Sequence, residues 1–143
     1  MSHDVWLEQA ADDLKAACVL SGANHHSQAV WLAAQSVEKA HKAILAALGL
    51  QYEEKHDKHL GHGTGDISKL LPDSLQAPRN PNVARMIESL ETPAQVAGLK
   101  GLMAPATRIT SSQQEIGDAT ELLTWCRERV TRADPGVQAM RPQ

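Results

Sequence analysis

The chain contains no phenylalanine, and aromatic residues together make up only 3% of its 143 residues. Residues that favour β-strands through bulky, rigid side chains are therefore scarce. Alanine, leucine, glutamine and glutamate, which favour helices, are frequent instead. We expect an all-α fold, and the chain has the length of one domain with its own hydrophobic core.

An excess of positive charge and a long apolar run are also missing. The formal net charge is -3 and the isoelectric point is near 6.1, which argues against non-specific DNA binding. No apolar run approaches the roughly 18 residues that a membrane span requires, and no signal-peptide pattern opens the sequence. We therefore expect a cytoplasmic protein that does not bind membranes.

Cysteine and the common catalytic motifs are sparse. Cys18 and Cys126 are the only cysteines, and each falls on the apolar side of a predicted helix, so we expect two reduced thiols in the core. The sequence contains no phosphate-binding loop, nucleophile elbow or paired-cysteine metal site. These absences predict no cofactor and give no support to an enzyme of an ordinary class.

Apolar residues recur at helical spacing in several segments. Asn24 is expected to cap the second helix and Gly49 to end it, while Ser112 and Glu115 form a capping box before the last helix. The connections between the helices are short except after the second helix, which favours an antiparallel up-down bundle of four to five helices. The predicted helices span residues 4–20, 24–48, 66–75, a segment from 81 and 112–132. The bundle covers residues 4–132, and residues 133–143 form a flexible tail.

The second predicted helix carries the most informative pattern. Its apolar residues share one side at about 100° per residue, and these are Val30, Ala33, Val37, Ala40, Ile44 and Leu48. Its polar side carries Gln28, Trp31, Gln35, Glu38, Lys39 and Lys42. The run from Gln35 to Leu45 reads Q-S-V-E-K-A-x-K-A-x-L, which resembles the second helix of HEPN domains (higher eukaryotes and prokaryotes nucleotide-binding). The order of the predicted helices, with Arg108 just before the last one, extends this resemblance over residues 4–132.

The resemblance has one clear departure, which concerns catalysis. HEPN members that act as metal-independent ribonucleases carry an Arg-x4–6-His motif at the start of their last helix. Here Arg108 is followed at that spacing by Gln113, Gln114 and Glu115. In addition, every histidine lies at or before His62 and every arginine lies at or after Arg79. The resemblance therefore implies a HEPN module without the usual catalytic motif.

What the resemblance implies about function is a homodimer that serves as a binding or regulatory module. Family members are often paired with a nucleotidyltransferase in a toxin-antitoxin arrangement, so we expect such a partner, and a nucleotide or RNA as a ligand. Because the apolar stripe already supplies the core contact, we expect the polar side to be solvated surface or interface. The expected binding residues are Trp31, Gln35, Glu38, Lys39, Lys42 and Arg108.

Two alternatives use the histidines of the polar loop after the second helix. A metal-independent ribonuclease could combine Arg108 with His56, His59 or His62, if the fold brings them together. The same three histidines have the residue types of a zinc or nickel site, which would suit a nucleotide or metal sensor. Because glycines occupy positions 61, 63 and 65, no rigid preformed site is expected, and we predict no bound metal.

Overall fold

A computed structural model describes residues 2–49, 85–90 and 109–133. These ranges contain three long helices, namely α1 (His3–Gly22), α2 (His26–Ala47) and α3 (Gln113–Ala133), while residues 85–90 are also helical and no described residue lies in a strand. The predicted all-α helical bundle is confirmed. None of the described helices is both long enough and apolar enough to span a membrane.

The contacts between the helices give their relative directions. Ser36 of α2 contacts Ala10 of α1, and Lys42 further along α2 contacts Trp6 nearer the start of α1. The helices α1 and α2 therefore run antiparallel. His26 and His41 of α2 meet Ser112 and Cys126 respectively, so α2 and α3 run parallel. This arrangement is that of the first, second and last helices of an up-down bundle.

The helix ends follow the sequence pattern with one exception. Ser2 caps α1 by accepting a hydrogen bond from the Val5 amide at 3.4 Å, and Gly49 has a φ of 75° just after α2, as expected. The prediction that Asn24 caps α2 is wrong. Asn24 has a φ of 65°, and the capping position falls to His25, whose side chain makes no capping bond. Asparagine tolerates this left-handed conformation, so Asn24 completes the turn between α1 and α2 instead.

The core consists of two clusters along the bundle. One joins Ile44 and Leu45 of α2 to Leu123, Cys126 and Val130 of α3 and to the first half of α1. The other joins the first half of α2 to the first half of α3 and includes a contribution from residues 85–90, of which Ile87 and Leu90 are buried. Apolar positions that the helical spacing predicted therefore face the core.

The two cysteines differ in their surroundings. Cys126 is buried in the core and both thiols are free, as expected, but Cys18 is exposed, so its predicted burial is wrong. Its neighbour Val19 is 71% exposed, because the end of α1 presents this side to solvent rather than to α2 or α3. The predicted helix at 66–75 and the predicted tail from 134 lie outside the described residues.

Candidate functional site

The charged residues of the second-helix signature make contacts inside the bundle. The Lys39 ammonium lies 2.7 Å from the Asp13 carboxylate of α1, and the two side chains are only 26% and 19% exposed. The Lys42 ammonium lies 5.2 Å from the centre of the Trp6 ring, in cation–π geometry. Glu38 is only 6% exposed. Glu38 is therefore buried, and Lys39 and Lys42 are half-buried against α1, so these three residues do not form a fully solvated face. That they bind a partner stays a prediction.

The reason for this burial is the central position of α2. It packs against both α1 and α3, and 12 of its 22 residues are buried. An apolar stripe identifies only the most hydrophobic side of such a helix. Small residues let the neighbouring helices approach its other sides, and the hydroxyl of Ser36 donates a 2.6 Å hydrogen bond to the Ala10 carbonyl of α1. The signature thus contributes to helix packing in this chain.

Among the described members of the predicted set, Trp31 is the most exposed. Its side chain is 41% exposed, Gln28 one turn earlier is exposed, and Gln35 one turn later is half-buried. A large aromatic side chain on such a surface is typical of protein interfaces. The exposure that the sequence predicted for Trp31 is confirmed.

The imidazole of His41 is buried between α2 and α3, and the sequence analysis did not single it out. Its Nδ1–H donates to the Val37 carbonyl at 2.9 Å, and the Cys126 sulfur lies 3.5 Å from the same nitrogen. Its ring stacks on that of Trp125 at 5.8 Å, while Nε2 is buried without a hydrogen-bond partner. Burial lowers the pKa of His41 to about 4, so the imidazole is neutral at pH 7. His41 lies four positions after Val37 and three before Ile44, and this helical spacing was the sequence signal that could have predicted its burial.

A second histidine joins the starts of α2 and α3. His26 Nδ1 lies 2.8 Å from the hydroxyl of Ser112, which lies 2.6 Å from the hydroxyl of Ser21 at the end of α1. Ser112 occupies the predicted capping position, but its hydroxyl makes these tertiary contacts. Because Ser112 is fully buried, it cannot attack a substrate as a nucleophile. The imidazole of His26, by contrast, is only half-buried. The Ser112 hydroxyl holds it in place and can either donate a hydrogen bond to Nδ1 or accept one from it.

Several predicted site residues lie outside the described ranges, namely Arg108, His56, His59 and His62. Within residues 2–49, 85–90 and 109–133, no group of three or more histidine, cysteine, aspartate or glutamate side chains could hold a metal ion. At the start of α3, Gln113 and Gln114 are exposed and Glu115 is half-buried. These are the positions at which the Arg-x4–6-His motif would require an imidazole.

Comparisons with known proteins agree with this architecture. A search of curated proteins finds no match. Among solved structures, the chain is similar to ST0689, described as an archaeal HEPN homologue, with a TM-score of 0.63 and 18% sequence identity. The match covers 91% of this chain and 98% of ST0689, and at that identity it shows a shared fold. The HEPN domain model matches residues 3–129, which is most of the sequence. The chain therefore belongs to the HEPN domain family.

Proposed function

We propose that this HEPN domain is a dimeric binding and regulatory module that does not cleave RNA. The observation that carries the proposal is the order of two residue types in the sequence. The last histidine is His62 and the first arginine is Arg79, so no arginine is followed by a histidine. At the spacing where the motif requires an imidazole, the start of α3 carries Gln113, Gln114 and Glu115, and none of these is the side chain whose ordinary pKa lies near neutral pH.

The proposed partner is a nucleotidyltransferase-type protein in a toxin-antitoxin system of the cytoplasm, with a nucleotide or RNA as a further ligand. Family resemblance supports this part of the proposal. The contacts of Glu38, Lys39 and Lys42 within the bundle shift the proposed contact surface toward Trp31, Gln28 and Gln35. These side chains have solvent-accessible area that an interface can still bury.

Self-association provides the first test. Light scattering after gel filtration at micromolar concentration should give a mass about twice 15.5 kDa. Trp31→Ala should shift the protein toward the monomer if the exposed face of α2 forms the interface. Val19→Ala removes a more exposed apolar side chain from the other helix of the hairpin and should leave the mass unchanged. A parent protein that is monomeric across this range contradicts the dimer.

A second candidate function, a metal-independent ribonuclease, is favoured by one observation. The imidazole of His26 contacts Ser112, only four positions after Arg108 in the sequence. Four residues span at most about 14 Å, so this imidazole is available near the start of the last helix without any loop histidine. The candidate assemblies are therefore Arg108 with His26, or Arg108 with His56, His59 or His62. RNA cleavage that is lost in Arg108→Ala and in an alanine variant of one of these four histidines would support it.

A further inference from the structure

The contact between α2 and α3 contains buried polar groups that no function proposed above uses. His41 and Cys126 are both fully buried, and they meet where the second half of α2 packs on the second half of α3. We name this contact, formed by His41, Trp125 and Cys126, the imidazole seam. The seam lies in one of the two clusters that hold α3 on the rest of the bundle.

The hydrogen bonds at the seam suit only neutral His41. A carbonyl oxygen can only accept, so the bond to Val37 fixes the proton on Nδ1 and leaves a lone pair on Nε2. A second proton on Nε2 would be buried with no acceptor, because this atom has no partner. The stacked Trp125 ring carries the Arg129 guanidinium 4.4 Å from its centre, so another cation is already close.

Within residues 2–49, 85–90 and 109–133, no carboxylate makes a hydrogen bond with the His41 imidazole. On α1, the apolar residues that pack against this cluster include Leu7 and Ala10, and the Asp13 carboxylate pairs with Lys39. On α3 the charged neighbour is Arg129, and in the 85–90 segment Arg85 and Glu88 are exposed. On α2 itself, buried Glu38 lies three positions before His41, while Lys39 and Lys42 contact Asp13 and Trp6 of α1 respectively. Burial lowers the pKa of His41, and the hydrogen bond to the Val37 carbonyl opposes that shift.

We propose that the imidazole seam is a proton-sensitive latch: protonation of His41 releases α3 from α2 and exposes Cys126 while the α1–α2 hairpin stays folded. The physical reason is that an imidazolium ion is stable only where Nε2–H can reach water or an acceptor. The hairpin has its own contacts, including the Lys39–Asp13 ion pair and the Ser36–Ala10 hydrogen bond, and none of them involves His41. Acid should therefore loosen the seam first. This device goes beyond the proposed binding function and does not depend on it.

The size of the effect follows from proton linkage. With a pKa of 6.5 in the open seam and about 4 in the closed one, the open fraction rises about 30-fold from pH 7.5 to pH 5. Burial also raises the pKa of the Cys126 thiol, so this cysteine is unreactive in the closed seam and can report each opening. Exposed Cys18 in the same chain reports the intrinsic reactivity of a thiol at each pH.

The test is the ratio of Cys126 to Cys18 labelling, measured by peptide mass spectrometry on the full chain. The thiols are labelled at pH 7.5, about 6 and about 5 with an aromatic disulfide reagent that reacts with thiols even in acid. These pH values cover the range over which the open seam takes up a proton on His41. The ratio should rise about 30-fold in the parent. In His41→Leu, which has similar volume and cannot take up a proton, it should change less than about twofold. His41→Gln, also neutral, serves as the second variant if His41→Leu does not fold.

Three results would overturn the proposal. One is a labelling ratio that does not change with pH in the parent, and another is a rise that persists in both His41 variants. The third concerns the extent of opening, which low concentrations of urea measure. Local opening exposes little surface and depends weakly on urea, whereas global unfolding has the full denaturant dependence. If labelling at the lowest pH shows the full dependence, His41 affects only the stability of the whole fold and the latch does not exist.

Discussion

Replacing Lys39 by glutamate should destabilise this protein strongly, although the sequence pattern places Lys39 on the polar side of α2. The structure puts its ammonium 2.7 Å from the Asp13 carboxylate, with about three quarters or more of each side chain buried. Glutamate at this position would remove the ion pair that joins α1 to α2 and would place two carboxylates against each other. The expected result is a marked loss of stability without a change of fold.

The magnitude can be worked from the geometry. Two unit charges about 4 Å apart interact by about 4 kcal/mol at an effective dielectric constant near 20, before desolvation is subtracted. After desolvation, a pair this buried should contribute about 1–2 kcal/mol, which is above the median for exposed pairs. Repulsion between the introduced carboxylate and that of Asp13 adds a similar amount, so we expect a total loss of about 2–4 kcal/mol. For a chain of this length that lowers the Tm by roughly 10 °C.

The assay is thermal and urea unfolding followed by circular dichroism, with Lys15→Glu as the matched control. Lys15 is exposed on α1, so its replacement makes the same change in net charge without breaking this ion pair. The control should lower the stability by less than about 0.5 kcal/mol. Asp13→Lys added to Lys39→Glu should recover at least half of the loss. Equal effects of Lys39→Glu and Lys15→Glu would refute the reasoning, because the ion pair would then contribute nothing.

The remaining predictions concern pH and metal ions. The pKa of His41 is about 4 in the folded state and 6.5 when hydrated, so the unfolded state binds more protons between these values and the stability falls as pH falls through this window. In urea titrations, the free energy of unfolding of the parent should fall by about 3 kcal/mol more than that of His41→Leu between pH 7 and pH 4. His25→Gln, which removes an exposed histidine, is the control and should behave like the parent. If the free energy of unfolding has the same pH dependence in the parent and in His41→Leu, the prediction is wrong. Zinc or nickel should bind His56, His59 and His62 with a Kd no lower than micromolar, because fixing each loop residue costs about 1–2 kcal/mol. Calorimetry on tag-free protein measures this affinity. A stoichiometric site with a nanomolar Kd that His59→Ala abolishes would contradict the prediction.

The features that the sequence could predict are those that depend on local periodicity. The apolar spacing of α2 and α3 placed Ile44 and Leu123 in the core, and Trp31 outside it, because a side chain's direction on a helix follows from its position in the chain. Gly49 ended α2 as expected, since glycine adopts a positive φ without strain. The family resemblance also depended mainly on one helix, whose residues are close together in the sequence, and on the order of the predicted helices.

The features that the sequence could not predict arise from tertiary packing. A helix with two neighbours buries several of its sides, so the polar position of Lys39 did not indicate that Asp13 would lie against it. The contact of His26 with Ser112 joins residues 86 positions apart, and no periodicity connects them. His41 could have been found on the apolar stripe, but its neutral state depends on burial against Cys126 and Trp125, which only the packed structure defines.

RNA cleavage by the metal-free protein tests the central claim most directly. Structured and unstructured RNA are incubated with the parent, with Arg108→Ala, and with alanine variants of His26, His56, His59 and His62, and the remaining full-length RNA is measured over time. The account predicts that the parent leaves both RNAs intact, because no histidine follows an arginine in the chain. Cleavage by the parent that is lost in Arg108→Ala and in at least one histidine variant would contradict the account and establish a ribonuclease assembled through tertiary contacts.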